Sequence, residues 1–419
     1  MTSPQPAPAD LNSLVTTVLQ RGYRGPVQWW RDATVYDVIA AKYGDPNLEA
    51  TFASVAHAAR LGVQAICFRP SHLDPTDKKD AQVIQRVIDR AHQVGLRAFV
   101  QVSGANHPAP ASRQQGPVPS PIVGKEVDGF PLVDRVEALL ALGADGIELG
   151  LIVEPELTGQ QAEAELLTAV VEKLKELRTR NGEKVILAAT ASAQFPSSLS
   201  RHLHQDWMHH LRDDRLQLSP WTGEGLLDAI TSSVRERAKL DHPSAWIPNV
   251  NFSYSAFGPL EVESWFNEPT NSARRAQAVN LLALSLPGAI YLHQGDEVAR
   301  SQVEDPTDSH ELLDSIAGRV IEQRQTDCTP YSTMRRALRV RAERRLGTGT
   351  LAVVTGAPWQ GPHCIALQNR DVMAVTNLSE ESIEIPHNWE VLVCSAPCDE
   401  SGKSVVLPPQ ATVWLRIDA

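Results

Sequence analysis

Carboxylates that could carry out chemistry are concentrated in one stretch of the chain. The segment LGADGIELGL, residues 142–151, places Glu148 in a short apolar run, and Glu154 and Glu156 follow soon after it. A carboxylate at the end of a buried strand can serve as a general acid, a general base or a nucleophile. Strand alternation puts Glu148 and Gly150 on the same side. Glu148 is therefore the strongest acid candidate, although no second acid stands nearby as its partner, and Glu154 and Glu156 are interpreted as loop or surface acids.

Histidines offer a second kind of chemistry in the segment HQDWMHH. His204, His209 and His210 lie close together there, a composition that invites a metal-site hypothesis. Neither helical nor strand spacing aligns all three on one face, and the His-Glu-x-x-His pattern does not occur. We therefore predict no metal site and no cofactor.

The cysteines are odd in number and scattered along the chain: Cys67, Cys328, Cys364, Cys394 and Cys398. Only Cys394 and Cys398 are close in sequence, and no second pair lies near them to complete a zinc site. Reduced thiols in a cytosolic protein are the prediction.

Composition and charge limit the classes of partner. The 419 residues are 42% hydrophobic and 21% charged, with a formal net charge of −11. Nucleic acids and anionic membranes attract basic surfaces, so neither is expected as the main partner. The segment MTSPQPAPADLNS has neither the basic start nor the apolar run of a signal peptide, and no stretch is long and apolar enough for a membrane span. A cytoplasmic location is expected.

The elements that would position these residues alternate between strands and helices from Thr34 onward. Three helical segments close on a glycine, at Gly62, Gly95 and Gly143, which is a common helix-stop signal. Strands that are apolar throughout, separated by amphipathic helices, predict a parallel sheet with both faces covered. About eight strand candidates occur, the weakest being the sixth, HQDWMHHL, and this number favours a closed (β/α)8 TIM barrel.

The pattern changes after Arg345 to short β-rich runs separated by Gly, Pro and Asn. That pattern is typical of a small antiparallel β-sandwich. The predicted organisation is a loose leader over residues 1–27, a barrel over 28–345 and a C-terminal β-sandwich domain over 346–419.

Several stretches together resemble the α-amylase superfamily, glycoside hydrolase family 13. They are WWRDATVYDVIAAKYGD at the first barrel strand, GADGIELG at the fourth, LLALSLPGAIYLHQGDEV at the eighth, and DVMAVTNLSE and VVLPPQATVWLRI in the C-terminal domain. The similarity extends from Gln28 to the C-terminus and is strongest to the α-glucosidase and trehalose-synthase types. It implies the same barrel and C-terminal domain.

The resemblance also implies where catalytic carboxylates should stand. Retaining glycosidases hold a nucleophile and a general acid about 5 Å apart, and this family adds a further Asp, so that the fourth, fifth and seventh barrel strands each end in an acid. At the fourth strand the family pattern Asp-Gly-Phe-Arg-Ile-Asp corresponds to residues 145–150, so Gly150 occupies the nucleophile's place and Glu148 replaces the Arg. At the fifth strand Ala189 and Thr190 stand where a Glu is needed.

The remaining positions depart from the family in the same way. The seventh-strand pattern Asn-His-Asp aligns with residues 249–251 or with 251–253, so Asn251 is polar in either register but no Asp is present. At the third strand Gln101 replaces an Asp, while Asn106 and His107 follow. His107 is interpreted as a hydrogen-bonding residue at a strand end, with a sugar contact as the alternative. The candidate binding residues are thus Asn106, His107, Glu148 and Asn251.

The loops are also short for this family. The subdomain after the third strand is reduced to a proline-rich stretch near residues 108–129, and the calcium loop after the first strand is reduced to GDPNLEA. Together these departures predict a catalytically inactive protein that is a regulatory, scaffolding or weakly carbohydrate-binding partner in α-glucan, maltose or trehalose metabolism. The expected partners are an active amylase-family enzyme or a malto-oligosaccharide. The alternative is an active α-glucoside hydrolase or transglycosidase with relocated acids such as Glu148.

Overall fold

The computed structural model describes most of the chain. The described residues are 14–38, 48–68, 70, 73–102, 131–151, 172–191, 193, 196–204, 207–248, 272–299, 309–386, 389–401 and 404–417. Within this part, no helix combines the length and apolarity needed to cross a bilayer.

Eight parallel strands form the centre of the molecule. They are β2 Thr34–Val38, β3 Ala65–Phe68, β4 Arg97–Gln101, β5 Gly146–Leu151, β6 Ile186–Thr190, β7 His210–Arg212, β8 Ala245–Trp246 and β9 Ala289–His293. Their order in the sheet is β7-β6-β5-β4-β3-β2-β9-β8. An isolated parallel bridge between Asp213 and Trp246 lies between the two ends of this order, so the sheet is a near-closed barrel. The predicted TIM barrel is confirmed, and the weak sixth candidate does contribute a strand, β7.

Side chains alternate between two cores along these strands. One set faces inward and forms a small cluster inside the barrel: Ala33, Val35, Ala65, Cys67, Phe99, Ile186, Ala188, Ile247 and Tyr291. The alternate residues, such as Tyr36, Ile66 and Leu187, belong to a larger cluster that also contains helix residues. This division follows from the two-residue period of a strand whose faces are both covered.

Helices surround the barrel. Those described are α1 Leu48–Leu61, α2 Lys78–Gln93, α3 Pro131–Ala141, α4 Pro196–His204, α5 Arg215–Leu218, α6 Gly223–Ala238, α7 Ser272–Leu284, α8 Ser309–Gln323 and α9 Pro330–Glu343. The three predicted stop glycines, Gly62, Gly95 and Gly143, all have positive φ, at 100°, 82° and 107°. A left-handed residue just after a helix ends it, and glycine adopts that conformation without strain.

The C-terminal part is antiparallel. Its strands are β10 Leu351–Thr355, β11 Cys364–Asn369, β12 Val372–Asn377, β13 Ile383–Pro386, β14 Glu390–Cys394, β15 Asp399–Ser401, β16 Ser404–Leu407 and β17 Ala411–Arg416. A six-stranded sheet and a three-stranded sheet, β13-β16-β15, share one apolar core that includes Met373, Ile385 and Val405.

The sixth strand of the larger sheet comes from the other end of the chain. Strand β1, Val15–Gln20, pairs antiparallel with β10 at the sheet's edge. The expected loose leader over residues 1–27 did not anticipate this strand; its first part, residues 1–13, lies outside the described residues. A pairing partner more than 300 residues away leaves no local signal in the sequence.

Helix α9 connects the barrel to the C-terminal sheets. The buried Arg341 guanidinium donates to three carbonyl oxygens at and after the end of α7, those of Leu284 at 2.7 Å, Leu286 at 2.6 Å and Gly288 at 2.5 Å. Burial lowers the pKa of Arg341 to about 10, which leaves it charged at neutral pH. These bonds fix the turn that leads into β9.

Candidate functional site

The carboxyl ends of the barrel strands bring six polar side chains to one end of the barrel, which we call the barrel mouth. These residues are Asp37, Gln101, Glu148, Thr190, Arg212 and His293. Residues paired across neighbouring strands lie on the same side of a sheet, and the pairs Gln101 with Glu148, Thr190 with Arg212, and Asp37 with His293 are in register. In barrels of this architecture the carboxyl ends form the active face.

An ion pair between Glu148 and Arg212 lies at the centre of the barrel mouth. Arg212 Nη2 is 2.5 Å from Glu148 Oε1, and the two residues are only 5% and 3% exposed. The same Oε1 accepts the backbone N–H of Gly150 at 2.8 Å. Burial raises the pKa of the Glu148 carboxyl, because desolvation outweighs the opposing charge of Arg212. Glu148 therefore faces the interior, as expected, but as half of a buried pair.

The backbone bulges at the end of the same strand. Pairing between β5 and β6 shifts register between Glu148 and Leu151, so that three steps on β5 correspond to two on β6. Gly150, at φ 73°, occupies the left-handed region that side-chain-bearing residues rarely adopt. The bulge turns the Gly150 N–H toward Glu148 and interrupts the regular alternation of side chains at the end of β5.

Arg212 is fixed on three sides. Besides Glu148, its Nε donates to the carbonyl oxygen of Ala189 at 3.4 Å, and its guanidinium carbon lies 3.9 Å from the centre of the Tyr291 ring. A cation over an aromatic face gains electrostatic energy, most of all where water is excluded. Arg212 has no freedom left to follow a ligand without breaking one of these contacts.

Tyr291 is fixed in turn by a neutral histidine. His210 Nε2 lies 2.5 Å from the carbonyl oxygen of Trp30, and His210 Nδ1 lies 2.8 Å from the Tyr291 hydroxyl. Burial lowers the pKa of His210 to about 3, so the ring is neutral at physiological pH. A carbonyl can only accept, so Nε2 carries the proton and Nδ1 accepts from the tyrosine.

Asp37 and His293 form a second charged pair at the mouth. His293 Nδ1 is 3.1 Å from Asp37 Oδ2, and the Asp37 side chain is 24% exposed. Burial acts to lower the pKa of His293, but the hydrogen bond and charge of Asp37 prevail and raise it. The charge of Asp37 also contributes to the raised pKa of Glu148, so the two pairs influence each other.

Three buried polar atoms at the mouth have no hydrogen-bond partner among the described residues. They are Glu148 Oε2, Thr190 Oγ1 and His293 Nε2. A buried polar atom without a partner costs free energy, so these atoms are where a bound molecule or water would be stabilised.

The remaining predicted positions are distributed differently. Ala189 belongs to the outer core that contains the helix residues, so it does not face the mouth, whereas Thr190 does. Asn106, His107, Asn251, Glu154 and Glu156 all lie outside the described residues.

The three clustered histidines point in different directions. His210 faces the barrel interior, His204 is exposed on α4, and His209 Nδ1 accepts the backbone N–H of Leu187 at 3.2 Å. Across the described part of the chain, no group of three His, Cys, Asp or Glu side chains is arranged to hold a metal ion.

Sequence reasoning missed Asp37, Arg212 and His293 as mouth residues. Each lies at or next to the carboxyl end of its strand, and that signal was available. For Arg212 it was obscured because β7 has only three residues and was read as the weakest strand.

We expect Arg212→Met to lower the free energy of unfolding by about 3–5 kcal/mol, because it leaves the Glu148 charge buried without a partner. The double variant Glu148→Gln/Arg212→Met is expected to cost less than the sum of its single variants, since the pair is removed as a unit. Denaturant titration followed by circular dichroism measures both.

The matched control for this prediction is Arg416→Met. Arg416 pairs with Glu390 at 2.7 Å, but the two side chains are 42% and 53% exposed. An exposed pair contributes at most about 1 kcal/mol. Equal losses for Arg212→Met and Arg416→Met would contradict the special role of the buried pair.

Asp37→Asn is expected to lower the pKa of His293, because the hydrogen bond and charge of Asp37 are lost while burial and the charge of Arg212, which both act to lower it, remain against the charge of Asp296 alone. The raised value means that the pair stabilises the fold fully below the unfolded-state pKa of histidine and progressively less as pH rises through the folded-state pKa. The stability difference between wild type and Asp37→Asn should therefore shrink with rising pH. NMR titration of the histidine rings checks the shift, with the neutral His210 as internal reference; an unchanged His293 pKa would refute it.

The comparisons with known proteins agree with this architecture. No model of a known protein family matches the sequence, and no curated protein matches it. Among solved structures, that of the α-glucosyl transfer enzyme XgtA aligns with a TM-score of 0.63 and 14% identity over 94% of this chain and 100% of its own. Amy13B of Eubacterium rectale aligns with a TM-score of 0.63 and 11% identity over 99% and 100%. A Family GH13_31 enzyme aligns with a TM-score of 0.60 and 12% identity over 92% and 99%. The chain therefore has the fold of the α-amylase-family enzymes of glycoside hydrolase family 13.

Proposed function

We propose that this protein is a catalytically inactive barrel of the α-amylase-family fold, acting as a regulatory, scaffolding or weakly carbohydrate-binding partner in α-glucan, maltose or trehalose metabolism. The observation that carries the proposal is the state of Glu148, the acid nearest the nucleophile's expected place. Its Oε1 is engaged by Arg212 at 2.5 Å and by the Gly150 N–H at 2.8 Å, in a position 3% exposed.

A glycosidase nucleophile must be an ionised carboxylate that is open to the sugar's anomeric carbon. Glu148 has its Oε1 held in a buried ion pair with Arg212, so only its Oε2 could face a substrate, from a side chain that is itself buried. Gly150, which takes the nucleophile's place in the family pattern, has no side chain, and its φ of 73° strains any residue that has one. Both features support the absence of a nucleophile at the fourth barrel strand.

The fifth barrel strand, β6, supports the same conclusion. Ala188, Ala189 and Thr190 supply no acid where the general acid would stand. The family's rate enhancement amounts to at least about 8 kcal/mol of barrier lowering. Most of that enhancement passes through the carboxylates that are replaced here, so loss of several of them together removes the reaction rather than slowing it.

One observation favours a second candidate function, an active hydrolase or transglycosidase with relocated acids. Glu148 has a raised pKa, as a general acid needs, and its Oε2 is unpartnered within the described residues. Asp37 is a second acid at the same mouth. Against this function, both acids are already ion-paired, Glu148 with Arg212 and Asp37 with His293.

We expect the purified protein to hydrolyse maltose, trehalose and aryl α-glucosides no faster than buffer does. Glu148→Gln and Asp37→Asn should therefore leave the measured rate unchanged. Turnover by the wild type that disappears in Glu148→Gln, with circular dichroism showing an intact fold, would establish the second candidate and end the first.

A sugar-binding role is supported by the unpartnered atoms at the mouth, since hydroxyl groups can both donate to and accept from them. We expect calorimetry with maltotriose to give millimolar affinity, weakened roughly fivefold by Thr190→Val through the loss of one hydrogen bond of about 1 kcal/mol. Thr355→Val, an exposed change in β10, is the matched control and should bind as wild type does. If calorimetry detects no heat at millimolar maltotriose, sugar binding is ruled out. The role of a regulatory or scaffolding partner of another protein then remains.

A further inference from the structure

Two cysteine thiols contact each other in the C-terminal domain. Strand β14 ends at Cys394, which is paired with Val413 of β17, and the chain turns so that Cys398 directly precedes β15. The two side chains share a thiol–thiol hydrogen bond. Both are free thiols, and Cys394 is part of the apolar core while Cys398 packs against its edge.

We propose that Cys394 and Cys398 form a reversible disulfide, and that Cys398 is the thiol that reacts first with a low-molecular-weight disulfide. The turn after β14 and the apolar cluster that both residues join supply the juxtaposition, since a disulfide forms only between cysteines that lie close together. This site is separate from the barrel mouth and does not depend on the proposed function.

Exposure and charge assign different roles to the two thiols. Cys398 is half-buried, so it can be reached from solvent, whereas Cys394 is only 5% exposed. The hydrogen bond from Cys394 lowers the pKa of the Cys398 thiol, because it stabilises the thiolate. The same hydrogen bond, together with burial, raises the pKa of Cys394. Since the thiolate is the nucleophile, Cys398 attacks and Cys394 resolves.

The exchange proceeds in two steps that balance. The Cys398 thiolate attacks one sulfur of the oxidant's disulfide; a mixed disulfide forms, the oxidant's S–S bond breaks, and its first half leaves as a thiolate that takes up the proton lost by Cys398. Cys394 then gives up its proton and attacks the Cys398 sulfur, which releases the second half as a thiol. Two protein thiols are oxidised, and one oxidant disulfide is reduced to two thiols.

The other cysteines are poorer candidates. Burial raises the pKa of Cys364 to about 12, and Cys67 is buried inside the barrel. Cys328 is half-buried and close enough to Cys398 to act on it electrostatically, but burial raises its own pKa. Because Cys394 is in direct contact with Cys398, it resolves the mixed disulfide in preference to Cys328.

The cysteine pair lies beside α9, the helix that joins the C-terminal domain to the barrel. Thr333 of α9 donates its Oγ1 hydroxyl to the Cys394 carbonyl oxygen at 3.1 Å. The same helix carries Arg341, whose guanidinium holds the turn into β9. The end of β14 is therefore hydrogen-bonded to the helix that joins the two domains.

Incubation of the folded full chain with oxidised glutathione, followed by alkylation and intact mass measurement, tests the proposal. The wild type should lose two of its five thiols and retain no glutathione, and dithiothreitol should restore both. Cys328→Ser should behave as the wild type does, Cys394→Ser should stop at a single glutathione adduct on Cys398, and Cys398→Ser should form neither product.

Non-reducing peptide mapping of the wild type gives a second readout that needs no variant to fold. A peptide in which Cys394 is linked to Cys398 is the expected result. The proposal would be overturned if all five thiols were alkylated at an oxidising ratio of glutathione. A stable glutathione adduct in the wild type, or a disulfide that requires Cys328, would overturn it as well.

Discussion

The buried ion pair between Glu148 and Arg212 is the constraint on which the barrel mouth depends. A charge inside a barrel is tolerated only with a partner, so each side chain keeps the other in place. Arg212 lies over Tyr291, Tyr291 donates to His210, and His210 donates to the Trp30 carbonyl oxygen before β2. One chain of contacts thus runs from the mouth down to the opposite end of the barrel. The acid that the sequence singles out is therefore part of the packing of the interior.

The fold itself does not depend on catalytic groups. The apolar alternation of the strands, with one set facing the barrel interior and the other facing the helices, specifies the barrel without any contribution from catalytic groups. At the ends of these strands the chain has Gly150 in a bulge and two charge pairs, Glu148 with Arg212 and Asp37 with His293. Within each pair the two side chains partner each other.

The sequence predicts the architecture well because its signals are local. Apolar runs, helical spacing and the glycines after the helices are each read within a dozen residues, and the fold they imply is the observed one. The mouth is only partly predictable. Strand alternation correctly turns Glu148 inward, but its partner Arg212 lies 64 positions away on a strand of only three residues, and no local rule connects the two. The bulge at Gly150 is likewise hidden, because it is defined by pairing with β6.

Strand β1 shows how far such non-local constraints extend. Val15–Gln20 lies against β10, so this segment finds its place only after more than 330 further residues have been synthesised. Closing so long a loop is entropically slow. Until it closes, one edge of the larger sheet presents unpaired backbone groups to any extended peptide nearby. The C-terminal sheet thus depends on β1 for its own protection against aggregation.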